Sequence, residues 1–308
     1  MKYPVLGMRF FFHIRRIFPL VLLLAFINLF CRGALSPEET PPAAPREDSW
    51  TIHTPFKWTH DGRPIDGTFV TVYSDGAGDA LKQQICEIAD QHFMDIMQLF
   101  DFDQIEDLRY PPGYPRIDVY VNRFHTENIA WAYWGGFLIT IRVEPLNARW
   151  LGYVTYTGHH EMVHVFEFLI EGKGGLSTDV WFREGLAVHL SDTDAVGFNL
   201  IDTISELDAW IARNAHHPDQ GNPVAVHSHT DYPPDADRTY YYFVFELTIR
   251  YLLDSRGGAR SLQDVLDVFY DMRHDIPFPV SFAQRMGIGL DRFEHEFYDR
   301  MVDYLRLP

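Results

Sequence analysis

A strongly apolar stretch, with Val163, Val165, Phe166, Phe168, Leu169 and Ile170, has the five residues His160-Glu161-Met162-Val163-His164 at its head. Apolar residues at that density favour a buried helix, predicted from about Tyr153 to Glu171, which fixes a centre for the rest of the chain to fold around. Residues four apart lie on the same helical face, so both imidazoles can reach one metal ion at about 2.0 to 2.1 Å. Glu161 is one position round from His160 and too close in sequence to bind beside it with good geometry. It overhangs the position where a water would sit, which makes it the natural general base.

Two histidines do not close a catalytic zinc site, which takes three protein ligands and one exchangeable position. The segment Trp181-Phe182-Arg183-Glu184-Gly185-Leu186-Ala187 offers the third, Glu184, 20 residues after His164 on a second helix predicted over Thr178 to Leu190. The turn Gly172-Lys173-Gly174-Gly175 lets the two helices fold back antiparallel and aims that carboxylate at the histidine pair. A third histidine in the metzincin manner is absent: Glu167 stands where the glycine of that pattern falls, and Ile170 where its histidine falls. The reversed order H-x-x-E-H does not occur.

Composition excludes several classes. With 308 residues and 46% hydrophobic positions, the chain can build a sizeable core and is not a disordered protein. The first 33 residues hold five basic side chains and no acid, so the rest, with 21 basic and 43 acidic ones, carries −22. A body that acidic repels phosphate backbones, and nucleic acid is not expected as a partner. Two cysteines, Cys31 and Cys86, exclude a disulfide-stapled fold, and Cys86 reads as a small core residue.

Residues 1 to 33 read as a signal peptide or N-terminal anchor. Arg15-Arg16 precedes the 14-residue apolar run Ile17 to Phe30, which is short for a spanning helix, and Cys31-Arg32-Gly33 follows. Cleavage, retention and lipidation at Cys31 all stay open, and each implies export of the body to a periplasmic, secreted or membrane-anchored location. The membrane is then a partner only through this segment. Residues 34 to 49 form an acidic linker with Pro37, Pro41, Pro42 and Pro45.

The body is expected to be one catalytic domain in two parts, an N-terminal α/β part over 50–145 and a helical part over 146–308. Period-two alternation predicts strands over Thr68 to Tyr73, Arg116 to Val121 and Phe137 to Val143. Between the first two, Leu81, Ile85, Ile88, Ala89, Ile96, Leu99 and Phe100 recur at helical spacing. Further helices are drawn over Thr239 to Ser255, Leu262 to Tyr270 and Leu290 to Leu305. The fold class is α+β: a mixed, antiparallel-leaning sheet packed on a helical half, with the chemistry near the seam.

The segments at 160 to 164 and 181 to 187 resemble those of the gluzincin metallopeptidases, the thermolysin-like and aminopeptidase-like clan, and the sequence is similar to small exported members. The likeness continues through Tyr242 to Gly257 and Phe282 to Leu305, so roughly residues 130 to 305 carry it. It implies a zincin-like fold and one Zn2+ per chain held by His160, His164 and Glu184, with Glu161 as base and a peptide or protein as substrate. It also implies a downstream Tyr or His that stabilises the oxyanion. Tyr242 is the choice, because it shares a stripe with Phe245, Ile249 and Leu252, and the loop residues His227 and His229 are the alternatives. A strand just before the metal helix, here Phe137 to Val143, is expected to lay the substrate along a sheet edge.

Departures from the family shape the expectation. Gly135-Gly136-Phe137-Leu138-Ile139 does not match the G-x-M-E-N segment of the exopeptidases, so an endopeptidase is expected rather than an aminopeptidase. Four residues beyond Glu184, where thermolysin-like members place an acid to orient the first histidine of the motif, stands Val188. Asp192 or Asp194 could serve instead. His159 and His189 read as ordinary surface or packing residues. The competing readings are a catalytically inactive, zinc-stapled peptide-binding module of the cell envelope, and a scaffold whose motif is accidental.

Overall fold

Alternation builds the sheet, and spacing builds the helices over it. In the computed structural model, residues 63–102, 108–111, 113, 116–123, 130–141, 151–172, 178–191, 222–228, 231–233, 238–254 and 258–306 are described. The leader with Cys31, the proline-rich linker, Asp192, Asp194 and His229 lie outside them. Strands β2 (Val70–Asp75), β3 (Ile117–Arg123) and β5 (Gly136–Ile141) each turn alternate apolar side chains inward: Val70 and Val72, Ile117, Val119 and Val121, Phe137 and Ile139. Two short strands flank them, β1 (Ile65–Asp66) and β4 (Ala130–Tyr133), in the order β1-β2-β3-β5-β4.

The inner strands β2, β3 and β5 run parallel, while β1 and β4 pair antiparallel at the margins. The sheet is therefore mixed, and its antiparallel lean is confined to the edges. Parallel neighbours need a long crossover. Helix α1 (Asp79–Leu99) provides the one from β2 to β3 and buries Ile85, Cys86, Ala89, Phe93 and Ile96 beneath the sheet. Cys86 is 1% exposed, with its thiol pushed up to about 11 by burial, as befits a packing residue. Asp90 of α1 accepts backbone N–H groups from Thr68, Phe69 and Val70, which ties the β1–β2 turn to the helix.

The order of strands corrects one expectation. The strand starting at Phe137 is interior, between β3 and β4, so it offers no free edge. Among the described residues the edge belongs to β4. Tyr133 and Gly136 close a two-residue turn in which Gly135 has φ 105°, so Ala130 and Ala132 are the residues of β4 whose N–H and C=O point away from β5.

Among the described residues six α-helices follow: α2 (Leu151–Glu171), α3 (Val180–Ser191), α4 (Arg238–Leu253), α5 (Leu262–Arg273), α6 (Phe278–Met286) and α7 (Leu290–Arg306). Helix α2 lies at the centre, packed on α1, β4, β5, α3 and α5, which is what an all-round apolar helix requires. Among the described residues no helix is long and apolar enough to cross a membrane.

Helix α3 is pinned by aromatic rings. Trp181 stacks on Phe293 of α7 at 5.8 Å, Phe182 meets Phe278 of α6 at 5.2 Å, and the Trp181 indole N–H donates to Glu294 at 3.0 Å. The neighbouring α4 approaches closely at Gly185, where a Cβ would strike the Phe245 carbonyl. Gly185→Ala should therefore push α3 from α4 and cost about 1–3 kcal/mol, read as a lower urea midpoint at unchanged m-value.

Candidate metal centre

Helical spacing and the α2–α3 fold-back bring three donors to one point. His160 Nε2 and His164 Nε2 lie 3.2 Å apart, and Glu184 Oε2 is 3.3 Å from each. The triangle is nearly equilateral, and bonds of about 2.0 to 2.1 Å to a tetrahedral ion separate its ligands by about 3.3 to 3.4 Å. A proton could join only one pair of these atoms at a time, whereas a divalent cation satisfies all three. The residues fit zinc in donor type as well as spacing, two imidazoles and a carboxylate.

Burial sets the electrostatics. It holds the His160 imidazolium below its ordinary range. At His164 burial acts in the same direction, but the carboxylates of Glu184 and Glu167 overcome it and lift the group well above the usual histidine value. Glu184 is buried too, yet His164 and His160 keep it well below the usual carboxylate range. The site thus stores its negative charge on Glu184, facing both rings.

Glu161 belongs to the same helix but not to the triangle. Burial pushes its carboxyl up to about 8, opposed by His164, and it accepts the Ala132 N–H from the open side of β4. The side chain therefore joins the triad's surroundings to the β4 edge of the sheet. Tyr242 of α4 reaches the other side, with its ring 6.4 Å from that of His160 and inclined by 30°. The stripe argument for Tyr242 is corrected in one respect: Tyr240 and Tyr241 are the deeply buried pair, 2% and 1% exposed, and Tyr242 is the half-buried one that borders the site. Helix α4 is packed on nearly all sides, so inwardness does not single out a face.

One residue went unassigned in the sequence. Glu167 Oε2 lies 2.8 Å from His164 Nδ1 and so orients the second histidine, whereas the acid expected near Val188 is one that orients His160. The signal was present as spacing, three residues beyond His164 on the same helix. His159 is not a surface residue but wholly buried, 3.4 Å from Ser191 Oγ through Nδ1 and perpendicular to His92 at 4.9 Å. His189 pairs with Glu246 at 3.2 Å. His227 is placed away from the triad's contacts, 2.7 Å from Asp179 and 3.7 Å from Glu294, where it fastens the start of α3 to α7. Those unequal distances suit a hydrogen bond rather than a shared ion.

No family model and no curated protein matches the sequence. The fold is similar in part to two solved structures. One is described as an aminopeptidase N family protein from Idiomarina loihiensis, with TM-score 0.44 and 12% identity over 76% of this chain and 46% of that one. The other is an M1 zinc metallopeptidase from Deinococcus radiodurans, with TM-score 0.41 and 13% identity over 80% of this chain and 52% of that one. The chain thus spans about half the length of either, and its chemistry is read from its own side chains.

The buried pair behind the site gives a pH prediction. Burial lowers His92 from 6.5 to about 4, so the folded state binds fewer protons than the unfolded one below pH 6.5. Stability is full above pH 6.5, falls as pH drops and levels off near pH 4, a loss on the order of 3 kcal/mol from this group. His92→Phe should flatten that acid limb, measured as urea midpoints from pH 7 to pH 4.

Proposed function

We propose that the protein is a zinc-dependent metallopeptidase, and that it cuts within peptides rather than at their amino ends. The observation that carries this reading is the convergence of His160 Nε2, His164 Nε2 and Glu184 Oε2 within 3.3 Å of one another, with Glu161 beside them. His160, His164 and Glu184 would hold the ion, which when bound supplies a Lewis acid that polarises the scissile carbonyl and acidifies a water to a pKa near about 7.

The remaining steps belong to the chain's own groups. The β4 edge, through the outward backbone groups of Ala130 and the Ala132 carbonyl, takes an extended peptide as an added strand. Glu161, already in contact with Ala132, removes a proton from the attacking water as its oxygen bonds to the carbonyl carbon. The same carboxyl returns that proton to the peptide nitrogen as the C–N bond breaks. Burial leaves the Glu161 carboxyl at about 8, close to the neutral range in which a general base works best. The Tyr242 hydroxyl donates to the carbonyl oxygen as it gains charge.

The preference for internal bonds rests on sequence: the segment at Gly135 to Ile139 lacks the acidic pattern that anchors a free amino terminus in exopeptidase relatives. Export through residues 1 to 33 is part of the same proposal and would put the enzyme outside the cytoplasm.

Purified protein should hold about one zinc per chain. Glu161→Gln should keep that metal and lower casein cleavage by about 10²- to 10⁴-fold, and Tyr242→Phe should lower kcat by about 10²- to 10³-fold with KM little changed. Undiminished cleavage by Glu161→Gln protein that retains its zinc would refute the assigned base.

A further inference from the structure

The proposed reaction uses Glu161 and Glu184 and leaves a third carboxylate of the site, Glu167, without a task. Its side chain is 0% exposed, Oε2 contacts His164 Nδ1 at 2.8 Å, and Oε1 has no hydrogen-bond partner among the described residues. A buried carboxylate with one unmet oxygen costs folding free energy that a leucine of similar length would not. Such a group is retained for what it does to its neighbour.

The neighbour is a candidate metal ligand. An imidazole that presents the Nε2 lone pair to a metal must carry its proton on Nδ1, and an acceptor at Nδ1 both fixes that tautomer and stops the ring from turning. His160, His164 and Glu167 fall at i, i+4 and i+7 on α2, so one helical stripe carries two ligands and the acceptor behind the second.

We infer that Glu167 is a positioning residue: it accepts the Nδ1–H of His164, aims that ring's Nε2 at the point shared with His160 and Glu184, and strengthens the ring as a ligand. The inference rests on the reading of the triad as a zinc site. It says nothing of contact with substrate.

Zinc affinity of the full chain, measured by competition with a chromogenic chelator, tests it. Glu167→Leu should bind zinc about 10- to 100-fold more weakly. Glu167→Gln, whose amide oxygen can accept from Nδ1–H, should recover most of the affinity. Ring 15N shifts of zinc-loaded wild type should show His164 protonated at Nδ1 and metal-bound at Nε2. Glu167→Leu protein that binds zinc as tightly as wild type overturns the inference and leaves the zinc reading standing; a wild-type chain that binds no zinc overturns both. Should Glu167→Leu fail to fold, the 15N spectra decide, and metal bound at His164 Nδ1 refutes the assignment.

Discussion

Three donor atoms, all within 3.3 Å of one another and largely withdrawn from water, are the constraint on which the structure turns. Protons can link each imidazole to the carboxylate but leave the two Nε2 atoms, 3.2 Å apart, facing one another without a common partner. A divalent ion satisfies the set at once, and the energy it returns is available to hold α2 against α3. The surrounding architecture reads as the means of keeping that triangle closed.

Each vertex is held by a different device. The two histidines are fixed relative to one another by a single helical turn, and the helix by packing on both sheet and helices. Glu184 depends on the lie of α3, which is set by Trp181 and Phe182 among the rings of α5, α6 and α7 and by close contact with α4 at Gly185. The sheet contributes from the side: its edge strand donates the Ala132 N–H to Glu161, so the surface that could receive an extended peptide and the group that could act on it are in direct contact. Charge follows the same plan, with burial pushing Glu161 up and the two rings drawing Glu184 down.

Much of this was legible because it is periodic. The His160–His164 spacing, the apolar run behind it and the glycine turn before Thr178 are local facts, and they suffice to place the metal helix and the carboxylate that meets it. The missed elements are those in which local signals are weak or misleading. Strand β4 reads Ala-Trp-Ala-Tyr, two alanines of poor strand preference, so alternation marks its neighbour and not β4 itself. Which strand is outermost is a matter of non-local pairing that alternation cannot report. Helix α6 carries Pro277 and Pro279 at its start, residues that read as breakers although a helix tolerates proline in its first turn. Glu167 was visible only as a departure from another family's motif, and its role appears once the ring of His164 is given a direction.

The account is tested most directly by X-ray absorption at the zinc edge of the purified chain. It predicts one equivalent of zinc with two imidazole nitrogens and light-atom ligands at about 2.0 to 2.1 Å, and a shell that loses a light-atom ligand in Glu184→Ala. A chain that acquires no stoichiometric zinc, or whose shell is unchanged by Glu184→Ala, would contradict it.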